Sequence, residues 1–142
     1  MKSFSKKASL CLIAVMMAAA SASARTTKAL SFDWNPVMDA IIQVESEGNP
    51  NAVSGKSAGA MQITPILVED CNDILKKMKS KKRFTLADRF SVAKSKEMFL
   101  LIQMYYNPTN DIEKAIRIWN GGIHYSVRAT NRYYKKVTAL MS

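Results

Sequence analysis

Four prolines punctuate this chain, and each follows Asn or Thr: Asn35-Pro36, Asn49-Pro50, Thr64-Pro65 and Asn107-Pro108. Proline lacks the amide proton that a helix interior or a central strand needs, so it marks element boundaries. After Asn35-Pro36, read as an N-cap and a first helical residue, Val37, Ile41 and Val44 recur at helical spacing with Met38 and Ile42 beside them. Gly48 and Asn49-Pro50 stop that pattern. Thr64-Pro65 opens a second helix with an apolar stripe of Leu67, Cys71, Ile74, Leu75 and Met78. A third is predicted from about Ser91 to Tyr106, presenting Met98, Leu101, Ile102 and Tyr105, and Asn107-Pro108 ends it. Asn110 followed by Glu113 resembles a capping box and opens a fourth, with Ile112, Ala115, Ile116 and Trp119 inward. Asn120-Gly121-Gly122 closes that helix, and a last one is predicted from near Thr130 with Tyr133 or Tyr134, Val137 and Leu140 or Met141. Residues 51–60, rich in Asn, Ser, Gly and Ala, read as an irregular loop, and strand alternation is scarce elsewhere. The expected fold is predominantly α.

The first 24 residues have the features of an export signal. Lys2, Lys6 and Lys7 form a basic start, Leu10 to Ala20 an apolar run, and Ala22-Ser23-Ala24 a small-residue cleavage pattern. The run is shorter than the ~20 residues that span a bilayer, so cleavage is expected, not a retained anchor or stable membrane insertion. Cys11 lies early in the run, which argues against lipid attachment there. The expected organisation is a signal peptide over 1–24, a lead-in over 25–35 and one domain over 36–142, placed in the periplasm or cell envelope. Cleavage would leave 118 residues, enough for a single domain that buries roughly two-thirds of its unfolded surface.

The three signal lysines leave with that segment, so 18 Lys and Arg face 11 acids, a formal charge of +7. Such a balance suits an anionic partner, which in the envelope means the stem-peptide carboxylates of peptidoglycan or other acidic polymers; export argues against nucleic acid. Lys76 through Arg83 is the densest cluster and reads first as a solvated helix end with its connector. Its functional reading is a hold on the anionic wall. Cys71 is the sole cysteine after cleavage and pairs with nothing in the chain, so a small core residue is expected. One His and one Cys build no recognisable metal set, and no metal or cofactor is expected.

Glu45 falls in the last turn of the first predicted helix, where the partial negative charge of the helix end disfavours an anion. A carboxyl group held partly out of water there would titrate high, which suits an acid that protonates a departing glycosidic oxygen. A Glu near a helix end is ordinarily just a solvated charge. Glu47, two residues on, points to another face and is expected in solvent.

The run Glu45-Ser46-Glu47-Gly48-Asn49-Pro50-Asn51-Ala52-Val53-Ser54, continued by Gly59-Ala60-Met61-Gln62-Ile63-Thr64-Pro65, is more specific. It resembles the signature of the soluble lytic transglycosylase (SLT) family of the lysozyme-like superfamily. Trp119-Asn120-Gly121-Gly122 resembles that family's Ala-Tyr-Asn-x-Gly element, and Thr130 to Val137 its closing Thr-x-x-Tyr-Val-x-x-Val. The four-residue step to Val137 selects Tyr133 over Tyr134. The resemblance spans about residues 36 to 138 and implies a small lysozyme-like helical domain with a glycan-binding cleft. It further implies Glu45 as catalytic acid/base, with Ser54 supporting that glutamate or the nearby sugar. Met61 and Gln62 would line the cleft, and Asn120 and Tyr133 would face the reacting sugar.

The activity so implied is murein lytic cleavage of the β-1,4 bond between N-acetylmuramic acid and N-acetylglucosamine, without a cofactor. The alternatives are a hydrolytic muramidase and a non-catalytic wall-binding or secretion-assembly accessory. The partners expected are peptidoglycan strands, with an envelope secretion or conjugation complex as a further placement of what is read as a monomer. Two positions depart from the pattern. Ala60 replaces the usual Leu, leaving a smaller side chain beside the cleft, and Trp119 replaces the common Tyr. Trp119 and Tyr105 are expected in the core, and His124 on the surface.

Overall fold

A computed structural model of the chain describes residues 31–141; the expected signal peptide and most of the lead-in lie outside them. Among the described residues the protein is mainly helical: α1 (Asn35–Ser46), α2 (Pro65–Lys77), α3 (Val92–Tyr106), α4 (Ile112–Gly121) and α5 (Val127–Ala139). A two-stranded antiparallel hairpin, β1 (Val53–Ser54) and β2 (Ser57–Ala58), and a short 3₁₀ helix, Leu86–Phe90, interrupt them. No helix among the described residues is long and apolar enough to cross a membrane.

Side-chain caps explain where four helices start. Thr64 Oγ1 accepts from the Leu67 amide (3.3 Å), Ser91 Oγ from Lys94 (3.3 Å), Asp111 Oδ1 from Lys114 (2.9 Å) and Ser126 Oγ from Ala129 (3.3 Å). Each satisfies an amide that the helix leaves orphaned and contributes about 1 kcal/mol. Three boundaries differ from expectation. Trp34 occupies the α1 cap position, with Asn35 and Pro36 as the first two helical residues. Asp111 caps α4, because Asn110 adopts a left-handed conformation (φ 56°) and the Asn107 side chain grips the backbone of Asp111 through both its amide groups. Finally, α5 begins three residues before Thr130, a first turn of Val127, Arg128 and Ala129 with no apolar rhythm to reveal it.

The core is built where α1 packs on α4 and α5, α4 on α5, and α2 on α3. Val37, Ile41, Cys71, Ile74, Met98, Phe99, Ile116 and Val137 are all within it. Phe99 stands between two tryptophans, with ring centroids 5.6 Å from Trp34 and 5.3 Å from Trp119. Each such pair adds about 1 kcal/mol to the area it buries. Trp119 and Cys71 are where expected, and burial pushes the Cys71 thiol up to about 12, which keeps it protonated and unreactive. Met78, Tyr105 and Ile112 are instead exposed, while Val68 and Phe99 take inward positions on α2 and α3. Tyr105 lies against Tyr106 with the Lys77 ammonium over its ring.

The 51–60 segment is a hairpin, not an irregular loop. It is too short for alternation to show in sequence. The 3₁₀ helix holds it in place: the Arg89 guanidinium donates to the carbonyls of Lys56 (3.1 Å) and Ile63 (3.3 Å). Gly59, at φ 82°, lies so close to the Arg89 carbonyl that a Cβ would sit 1.7 Å from that oxygen. Only glycine allows this approach.

Candidate active site

Glu45 reaches its place through two consecutive backbone decisions. Helix α1 runs one residue past it, and Glu47 then turns left-handed (φ 53°) with its amide still bonded to the Gln43 carbonyl. The carboxylate therefore emerges from the final turn, at the negative end of the helix dipole. Ser46, beside it, donates to the Ala60 carbonyl (2.7 Å) and so ties the chain after the hairpin to the end of α1. Sequence reasoning assigned Ser46 no role; its only signal was membership of the Glu-Ser pair.

From the other side comes α5. Tyr133, 88 residues away, donates its hydroxyl to Glu45 Oε1 at 2.7 Å. Among the described residues this is the one hydrogen bond to the carboxylate, and Oε2 has none. Burial raises the Glu45 pKa above the ordinary carboxylate value, and the Tyr133 hydrogen bond pulls it partly back. The Tyr133 hydroxyl is itself pushed up, chiefly by burial and then by the carboxylate it faces, so it remains a neutral donor. No other carboxylate is paired with Glu45 among the described residues, and they include no cluster of His, Cys, Asp and Glu that could hold a metal ion.

Arg117 fixes α5 in this position. Its guanidinium, buried between α4 and α5, donates to the Val127 carbonyl and Thr130 Oγ1, both at 2.9 Å, and pairs with Glu113 at 2.8 Å. It also lies 4.5 Å over the Tyr134 ring. Tyr133 and Tyr134 thus divide the labour, one facing Glu45 and the other facing Arg117. Nothing in the sequence reading identified Arg117, because a charged residue on an inward helix face breaks the apolar pattern that marks a core.

The remaining expected site residues separate. Gln62, in a left-handed conformation (φ 52°), donates its side-chain amide to the carbonyls of Ala52 (3.2 Å) and Gly59 (3.0 Å), bracing the hairpin from within. Asn120 is exposed in the last turn of α4, and its side chain makes no hydrogen bond to a described residue. Ser54 is exposed on β1 and makes no hydrogen bond to Glu45. Met61 does not line a cleft: its side chain is 0 % exposed, packed in the core, and its carbonyl accepts the Trp119 indole N–H at 3.2 Å. Ala60 is likewise fully buried, not beside an open surface. Glu47 is in solvent, as expected, and so is His124.

An open cavity of about 280 Å³ is lined in part by Trp119. Leu67, Ile102, Tyr106 and Trp119 give it apolar walls, while Asp70 and His124 supply polar groups. Glu45 is not part of its lining; Trp119 and Gly121, the neighbours of Asn120, are. Aromatic and aliphatic walls with a few polar groups suit a sugar ring, whose faces are apolar and whose edges carry hydroxyls.

The family model of the transglycosylase SLT domain matches residues 23–141, and the chain belongs to that family. No curated protein and no solved structure matched the chain in the corresponding comparisons.

Proposed function

We propose that this protein is a murein lytic transglycosylase of the bacterial envelope, cleaving the β-1,4 bond between N-acetylmuramic acid and N-acetylglucosamine. The observation that carries this reading is Glu45: a carboxyl group whose pKa is raised by burial, hydrogen-bonded to Tyr133 and paired with no second carboxylate among the described residues. A group of that kind keeps its proton to higher pH than an ordinary carboxyl group and can donate it to the departing oxygen of the glycosidic bond. A lone carboxylate also fits the substrate-assisted departure from the two-carboxylate scheme.

In this scheme Glu45 gives its proton to the glycosidic oxygen as the C1–O bond breaks, and the N-acetyl carbonyl oxygen of muramic acid bonds to C1. Glu45, now a carboxylate, takes the proton from the C6 hydroxyl of the same sugar. O6 then bonds to C1, displaces the acetamido oxygen and closes a 1,6-anhydro ring. The proton count returns to its start, and neither water nor a cofactor is consumed. Tyr133 holds Glu45 Oε1, which leaves Oε2 to carry the proton. Asn120, exposed and with a side chain that bonds to no described residue, would meet sugar polar groups beside Trp119. Gln62 contributes by holding the hairpin.

The test is mass spectrometry of sacculi digested by the purified protein. Anhydro-muropeptides are expected. Reducing ends without them would replace this reading with a muramidase, and no release of fragments would leave a wall-binding accessory.

A further inference from the structure

Positive charge is unevenly neutralised over the surface. Among the described residues, ion pairs involve Lys82, Lys94, Lys96 and Arg117. In the Lys76–Arg83 cluster, Lys82 pairs with Glu97 and Arg83 donates to the Ser80 carbonyl at 2.8 Å; Lys76, Lys77, Lys79 and Lys81 form no ion pair with a described residue, but the helix leading into them carries Glu69, Asp70 and Asp73. Helix α5 is different. Arg128, Arg132, Lys135 and Lys136 are all exposed, none forms an ion pair with a described residue, and the helix contains no acid at all. Steps of four, three and one bring the four onto one face, opposite the buried Thr130 and Val137, over about 12 Å of helix length. Ordinary surface helices mix signs. This one repels itself unless something anionic lies against it.

We infer that the outward face of α5, formed by Arg128, Arg132, Lys135 and Lys136, binds the stem-peptide carboxylates of peptidoglycan. The inference rests on the proposed function, which supplies a substrate polymer carrying such carboxylates, and on Tyr133, which puts the same helix at Glu45. A row of cations here holds the wall against the helix whose flank faces the scissile bond. A lipid surface fits less well, because no large apolar side chain stands between the four cations to sink into acyl chains. The exposed charges act through long-range attraction, so the hold is strong at low salt and fades as salt screens it.

The experiment is sedimentation with purified sacculi, using full-length Glu45→Gln protein so that the wall survives. Adding Arg128→Gln, Arg132→Gln, Lys135→Gln and Lys136→Gln should weaken binding about tenfold at low salt and change nothing at high salt. Glutamine preserves helix propensity, and the two adjacent pairs changed separately should each give part of the loss if the fourfold variant folds poorly. Sacculi whose carboxyl groups are capped as amides should bind the Glu45→Gln parent as weakly as native sacculi bind the fourfold variant. Unchanged binding by the variant overturns the inference, as does full binding of the parent to capped sacculi. A larger loss on phosphatidylglycerol vesicles than on sacculi overturns it in favour of a membrane. In the Glu45 background, the fourfold variant should cleave peptide-free glycan strands at the unaltered rate. Failure of the unmodified protein to cleave those strands would count against the proposed function instead, whatever the binding result.

Discussion

Helix α5 meets a buried charge on each of two sides, and the protein treats them oppositely. At the α4–α5 seam, Arg117 has two hydrogen bonds to α5, an acidic partner in Glu113 and a ring beneath it. At the α1–α5 seam, Glu45 has, among the described residues, one hydrogen bond to its carboxylate, none to Oε2, and the unfavourable end of a helix dipole. A fully compensated buried charge serves as structure, because removing it leaves orphaned partners. An under-compensated one is a poor way to stabilise a fold and a good way to hold a proton ready for transfer. The same helix thus meets a rigid anchor through Thr130 and Tyr134 and a poised acid through Tyr133.

Breaking the comparison at Glu45 should give the largest effect. Glu45→Gln keeps the shape and the Tyr133 contact but removes the transferable proton, so cleavage of sacculi should fall by at least about 100-fold with no drop in melting temperature. Turbidity clearance at the normal rate would refute the assignment. At Arg117 the expected outcome is inverted: Arg117→Met should cost about 3 kcal/mol in chemical denaturation, through the orphaned Val127 carbonyl and Thr130 hydroxyl. A loss below about 1 kcal/mol would mean that α5 is held by its apolar face alone.

Tyr133→Phe sits between the two. It should lower activity about tenfold, the worth of one hydrogen bond to a charged group. Because that bond lowers the Glu45 pKa, its removal should also move the alkaline limb of the pH–rate profile to higher pH. An unmoved limb would disconnect Tyr133 from the acid.

How far all this could be read in the sequence follows from what each signal encodes. Helix existence was legible because Pro36, Pro65 and Pro108 and the capping hydroxyls Thr64 and Ser91 act locally. Periodicity picks a helix face but not which neighbour covers it, so Met78, Tyr105 and Ile112 satisfy the spacing and still face water. Motif order identified Glu45 and preferred Tyr133 to Tyr134, yet it is silent on side-chain direction, and Met61 consequently belongs to the core. Arg117, Ser46 and the Gly59–Arg89 approach were illegible because each depends on a partner brought close only by the fold.

The smallest expected effect bears most directly on the difference between the two charges. Folding favours the protonated form of Glu45, since its pKa is raised in the native state. Its contribution to stability is therefore fully present below the unfolded value of about 4.3 and is lost as pH rises through the raised native value. Glu45→Gln does not titrate. The stability of the variant relative to the unmodified protein should thus hold at a baseline near pH 4, grow in the variant's favour as Glu45 ionises, and then level off. Paired denaturation curves across this range measure it. A difference that stays constant with pH would mean the native carboxylate is as well solvated as the unfolded one. Glu45 would then be no less compensated than Arg117, and the contrast between the two faces of α5 would disappear.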